Sequence, residues 1–339
     1  MLMKGRIIGC SLIAFVLLAS FKVLAITPQA PPFLKPGDKI AVISPSGTHS
    51  LNVVDSARSA FSKWGFETVV GKNIGKSFHG FAGTIAQRKA DLLWALRDTT
   101  IKAIMCADGG YGACHLLCEI PLKEFNAHPK WLIGYSDITA LHSAQVVAGN
   151  MSIHGNMCYY LRKTGGTDTL SLIMRDILLG KAPSYTVPGY SLNVPGTATG
   201  IVVGGNISVF TDLAGSQYDF LGADFVKGKD IILFFEDTNE DISHVDRMLH
   251  QLKLRGLLSH VKGIIVGKFK GYKAIKGYKS MEDMLSSYLK HCKVPVCYDF
   301  PTGHFPDSNY PMIEGCPAKL TVAKDSVKLE FMFKTPKMK

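Results

Sequence analysis

Three residues, far apart in the chain, have the types that acyl transfer requires. They are Ser136 in KWLIGYSDITALH, Glu236 in KDIILFFEDTNED and His304 in FPTGHFPDSN. A serine hydroxyl becomes a useful nucleophile when a neighbouring base removes its proton. Imidazole is the side chain whose pKa suits that task near neutrality, and a buried carboxylate fixes its tautomer. The apolar run Trp131–Ile133 ends in Gly134-Tyr135-Ser136, and a helical pattern follows at once. Such a strand-to-helix turn lifts a serine out of the sheet, beside the free N–H groups of a helix start, where an oxyanion could develop. The five residues only partly fit G-x-S-x-G, since Ile138 holds the last position. On this stretch alone a serine that merely caps the helix stays open.

The other two candidates also carry bland alternatives. Glu236 closes an apolar strand, where it could orient a histidine; it could equally sit near the next helix start, although Glu240 and Asp241 fit that place better. His304 lies in a loop stiffened by Pro301 and Pro306 and turned at Gly303, a common setting for a catalytic side chain but also for an exposed loop histidine. His142 and His250 fall on helical patterns, which leaves His154 in SIHGN as the main competitor for a general base. The segment ADGGYGA (107–113) sets two glycines after a strand, so its backbone can approach a ligand or simply turn. It matches neither G-x-G-x-x-G nor a P-loop.

The elements that would position these residues alternate between strand and helix from residue 36. KIAVIS, ETVV, IKAIMCAD and KWLIGYS read as buried strands. Between them, Val54, Ala57, Phe61 and Trp64 share one helical face, and Ala86, Ala90, Leu93 and Leu96 share another. That alternation predicts a mostly parallel sheet covered on both faces, with ligands bound beyond the strand carboxyl ends, where SPSG, DGGYGA and GYSD all lie. Residues 161–199, rich in Pro, Gly, Ser and Thr toward their end, read as a linker between a domain spanning 33–160 and one spanning 200–335. The second is β-rich (α+β) and reads as barrel-like. Its clear helix, DISHVDRMLHQLKLRG, aligns Ile242, Val245, Leu249 and Leu252.

Composition narrows the classes. The 339 residues are 47% hydrophobic with no low-complexity tract, so the chain can bury large cores. Residues 1–25 have a basic start, an apolar stretch and small residues before Ala25, the pattern of an export signal; an uncleaved anchor is the alternative because Lys22 sits near the cleavage point. Cleavage would remove three of the charges behind the net +11, Lys4, Arg6 and Lys22, and leave +8. The remaining charges are scattered, without the basic stripe and interleaved aromatics of a nucleic-acid site. Seven cysteines remain after Cys10. None has metal-ligand spacing, and Cys292 with Cys297 could close a small disulfide loop.

In their order, the blocks LKPGDKIAVISPSG, FAGTIAQRKADLLWALRD, IKAIMCADGGYGA, WLIGYSDITALH, HGNM, GIVVGGNISVF, LFFEDTNEDISHVDRML, VKGIIVGKF and PTGHFPDSNYPMIEG resemble the LD-carboxypeptidases, also called muramoyltetrapeptide carboxypeptidases, over about residues 33–330. The resemblance implies a flavodoxin-like parallel-sheet N-terminal domain, a β-rich swivelling C-terminal domain and a site in the cleft between them. It places the nucleophile on Ser136, the triad carboxylate on Glu236 and the base on His304, with the backbone N–H groups of Gly110 and Asp137 as oxyanion donors. Two positions depart from many relatives, which have arginine where this chain has Asp108 and His115. The implied activity is release of D-alanine from peptidoglycan tetrapeptides by an exported, periplasmic enzyme, without metal or organic cofactor. A homodimer is compatible with this reading. The alternatives are a microcin-immunity-type hydrolase of peptidyl-nucleotides and a non-catalytic periplasmic binding protein.

Overall fold

The computed structural model describes residues 27–274 and 277–333; the export segment expected at 1–25 lies outside them. The first half supplies β1 (Lys39–Ile43), β2 (Glu67–Val70), β3 (Ile101–Cys106), β4 (Trp131–Gly134) and β5 (Ser152–His154). The second supplies β6 (Ser184–Pro188), β7 (Gly196–Asn206), β8 (Ile231–Thr238), β9 (Gly263–Lys270), β10 (Val296–Cys297), β11 (Met312–Glu314), β12 (Pro317–Val322) and β13 (Ser326–Phe331). Two sheets result. One has the order β11-β5-β4-β3-β1-β2, with β1 to β5 parallel as the strand–helix alternation predicts. The other has the order β10-β9-β8-β7-β12-β13-β6, parallel from β7 to β10 and antiparallel on the other side.

The second sheet is open, with β10 and β6 at its edges, and so differs from the expected barrel. Helices Ile242–Leu254 and Met281–Leu289 contribute to a core with Val203, Leu233, Phe235 and Val266, so helix packing does what closure of a barrel would otherwise do. Ile242, Val245, Leu249 and Leu252 are fully buried, as their phase requires.

The division between the halves is less clean than a linker implies. Residues 161–199 hold most of helix Cys158–Thr164, all of helix Thr169–Leu178 and strand β6. Asp168 caps the second helix by accepting from the N–H groups of Leu170 and Ser171, and Met174, Ile177 and Leu178 pack into the first sheet's core. In the reverse direction, β11 leaves the second half to pair antiparallel with β5.

Helix Ile85–Arg97 forms where expected and starts on a capping box, with Thr84 and Gln87 each bonding the other's backbone N–H. Its buried face, however, is Arg88, Asp91, Leu92, Ala95 and Leu96, with Ala86 and Ala90 exposed. The polar members are held there by hydrogen bonds, although Nε of Arg88 has no partner among the described residues. Arg88 donates to the carbonyls of Pro45 and Gly112, both at 2.7 Å, and Asp91 accepts from Asn73.

Candidate active site

The carboxyl ends of β1, β3, β4 and β8 converge on one cleft. Beyond β4, Tyr135 is extended and Ser136 takes φ +64°, a left-handed conformation that a serine adopts only where its surroundings hold it. A short 3-10 turn (Ser136–Ile138) then leads into helix Thr139–Val147. The hydroxyl of Ser136 caps nothing; it meets Nε2 of His304 at 2.9 Å. Nδ1 of the same ring meets Oε2 of Glu236 at 2.6 Å, so the imidazole lies between serine and carboxylate. Glu236 is fully buried at the end of β8, and the His304 side chain is 14% exposed.

Glycines make this arrangement possible. A Cβ on Gly303, whose φ is +126°, would stand 3.0 Å from Oε2 of Glu236, and one on Gly267 would stand 3.0 Å from the Cβ of Glu236. A Cβ on Gly109 would come within 3.4 Å of the Ser136 hydroxyl. Gly110, at φ +110°, lies against Gly47 of the SPSG turn, whose N–H donates to Gly109. Gly110, Ser136 and Asp137 line one cavity of about 400 Å³ together with Asn206, Ser208, Asp212, Asp237 and Glu240. The Asp137 side chain is turned away to the N–H of Ala113.

Burial acts against protonation of His304, but the charge of Glu236 and its hydrogen bond outweigh it and raise the imidazole pKa. Asp237, one residue on, is pushed up to about 6 by burial and by Glu236, while accepting from the N–H groups of Ser208 and Thr238. His154, the competing base, is fully buried in β5, where its ring packs edge-on against Phe234; burial holds its pKa well down, and Tyr135 lies beside it.

Two supports escaped the sequence reading. Asn309 accepts the N–H of Gly303 and donates to Asn156 at 3.1 Å, and Asn156 donates to the carbonyl of Pro306, so the His304 loop is tied to the first half of the chain. Both asparagines lie in polar loop motifs, HGN and PDSN, and the only signal was their nearness to His154 and His304. Arg88 likewise fixes the two glycine turns. Cys292 and Cys297 are free thiols, so the disulfide considered for them is not formed.

A hydroxyl, an imidazole and a carboxylate in line, beside backbone N–H groups, define a serine hydrolase whose site is shared by two sheets. Residues 40–155 match the LD-carboxypeptidase N-terminal domain and residues 199–320 the LD-carboxypeptidase C-terminal domain. A Bacillus subtilis protein named a probable murein peptide carboxypeptidase is 34% identical over 81% of this chain and 86% of its own. The microcin self-immunity protein of Escherichia coli is 27% identical over 71% and 77%. The crystal structure of muramoyltetrapeptide carboxypeptidase from Oxalobacter formigenes superposes with a TM-score of 0.75 at 25% identity, covering 87% of this chain and 99% of that one. The chain belongs to the LD-carboxypeptidase family and is a hydrolase of the carboxypeptidase type.

Proposed function

We propose that the chain is a serine LD-carboxypeptidase that releases the terminal D-alanine from peptidoglycan tetrapeptides by cutting its bond to the L-centre of a diamino acid. The observation that carries the reading is the line from Ser136 through His304 to Glu236, at 2.9 and 2.6 Å. Ser136 Oγ attacks the scissile carbonyl carbon while Nε2 of His304 takes the hydroxyl proton. Glu236 holds the Nδ1 proton and balances the imidazolium. The N–H groups of Gly110 and Asp137 receive the oxyanion, at about 3 kcal/mol of barrier per donor in comparable sites. As the tetrahedral adduct collapses, His304 passes its proton to the departing amine of D-alanine. Water, deprotonated by the same imidazole, then cleaves the acyl-enzyme and frees Ser136. The same reading puts the enzyme outside the cytoplasm, on the strength of the sequence of residues 1–25.

The supporting experiment is incubation of the purified protein with a defined muropeptide tetrapeptide, following D-alanine release by mass. One observation favours a second reading, hydrolysis of a peptidyl-nucleotide. Tyr111, 62% exposed, lines the same cavity as Ser136 and offers an aromatic face on which a base could stack. Turnover of an aminoacyl sulfamoyl-adenosine with an intact tetrapeptide would establish that reading in place of the first.

A further inference from the structure

The nucleophile turn is divided between two cavities. Gly110 and Ser136 belong to the larger, whereas Asp108 and Tyr135 belong to a second of about 200 Å³, completed by Met157, Tyr159, Tyr160 and Pro306. This smaller cavity adjoins the reacting atoms. The Tyr135 ring lies 5.1 Å from that of His304, and a Cβ on Gly109 would touch both the Met157 methyl group and the Ser136 hydroxyl, at 3.6 and 3.4 Å.

The cavity's charge is one-sided. Among the described residues its lining includes neither lysine nor arginine, and the Asp108 carboxylate accepts from the N–H of Gly109 at 2.8 Å and makes no salt bridge. Its titratable neighbour His49 is held below the ordinary imidazole pKa by burial, against the pull of Asp108, and is therefore neutral at physiological pH. The carboxylate thus faces the cavity uncompensated, among three tyrosines whose π-systems also attract a cation. Such a cavity repels the carboxylate of a departing D-alanine, so it serves the other side of the scissile bond.

We propose that this cavity receives a side-chain ammonium on the residue that supplies the scissile carbonyl, and that Asp108 makes a free amine there a condition of efficient cleavage. The inference rests on the carboxypeptidase reading above and assigns a specificity-determining residue to it.

The test uses two tetrapeptides that differ only at position three, where lysine, a diamino acid whose side chain carries an ammonium and no carboxylate, has its side-chain amine free or acetylated. The wild-type protein should cleave the free-amine peptide with a kcat/KM roughly tenfold to a hundredfold higher, the range of a hydrogen bond to a charged group, mostly through KM. Asp108→Asn, which retains an oxygen for the Gly109 N–H, should bring the ratio between the two peptides close to one. Equal cleavage of both peptides by the wild-type protein would overturn the proposal while leaving the carboxypeptidase reading intact, as would an unchanged ratio in Asp108→Asn. Loss of D-alanine from neither peptide would overturn the reading and the proposal together.

Discussion

Asn309 and Asn156 are separated by 153 positions in the chain, yet their amides meet at 3.1 Å and join the loop of His304 to the turn that follows β5. Asn309 is fully buried, and its oxygen also holds the N–H of Gly303 next to the catalytic imidazole. Removing it leaves buried polar groups unpaired, at about 1–3 kcal/mol each. Asn309→Ala should therefore lower the thermal midpoint by several degrees and reduce kcat more than it raises KM, since the base is misplaced while the cavities keep their lining. An unchanged kcat in a folded variant would show that the loop holds its place without this tie.

The left-handed backbone at Ser136 separates two variants that both lack the hydroxyl. Ser136→Ala keeps a Cβ at φ +64°, whereas Ser136→Gly removes the steric cost of that conformation. Both should lose turnover to background. Calorimetry should find the glycine variant more stable than the alanine variant by about 1 kcal/mol, the low end of such strain energies. A less stable glycine variant would mean that the turn is not strained.

The helix Ile85–Arg97 illustrates how much of the molecule was legible in its sequence. That it is a helix followed from its periodicity, whereas its buried face did not, because Arg88 and Asp91 are buried by hydrogen bonds to loops that only the assembled fold brings near. The parallel strands β1 to β4 were readable for the same local reason. The β11–β5 pairing and the helix Thr169–Leu178 were obscured, the first by its three-residue length and the second by the Gly and Pro residues around it. Residue types and their positions at strand ends suggested Ser136, Glu236 and His304, but their meeting depends on long-range contacts across two sheets.

Arg88 therefore makes a test of its own. The residue is 1% exposed, and its Nη1 donates to the carbonyls of both Pro45 and Gly112, in the turns that carry Gly47 and Gly110. Arg88→Met keeps much of the volume and loses both bonds, leaving two buried carbonyls unpaired. Stability should fall by roughly 2–4 kcal/mol, read from urea midpoints, about the cost of two unmade hydrogen bonds. Turnover should fall in the fraction that stays folded, because Gly110 loses its support. Full activity with normal stability would show that the glycine turns hold themselves.

The pH profile follows from the direction of the His304 shift. The base must be neutral to accept the serine proton, and Glu236 raises the imidazole pKa despite the opposing effect of burial. Activity should therefore be lost as pH falls through a value above 6.5, the ordinary imidazole pKa. Glu236→Gln removes the negative charge and keeps the shape, so the acid limb of kcat/KM in its residual activity should move down while the maximal rate falls steeply. The stability term has the matching sign. A raised pKa in the folded state favours folding while the ring is protonated, fully so below 6.5, and that contribution fades as pH rises through the folded-state value. In Glu236→Gln it should vanish, leaving a flatter stability profile between mildly acidic and mildly alkaline pH than in the wild-type protein. An acid limb that stays in place after the substitution would mean that another group governs it.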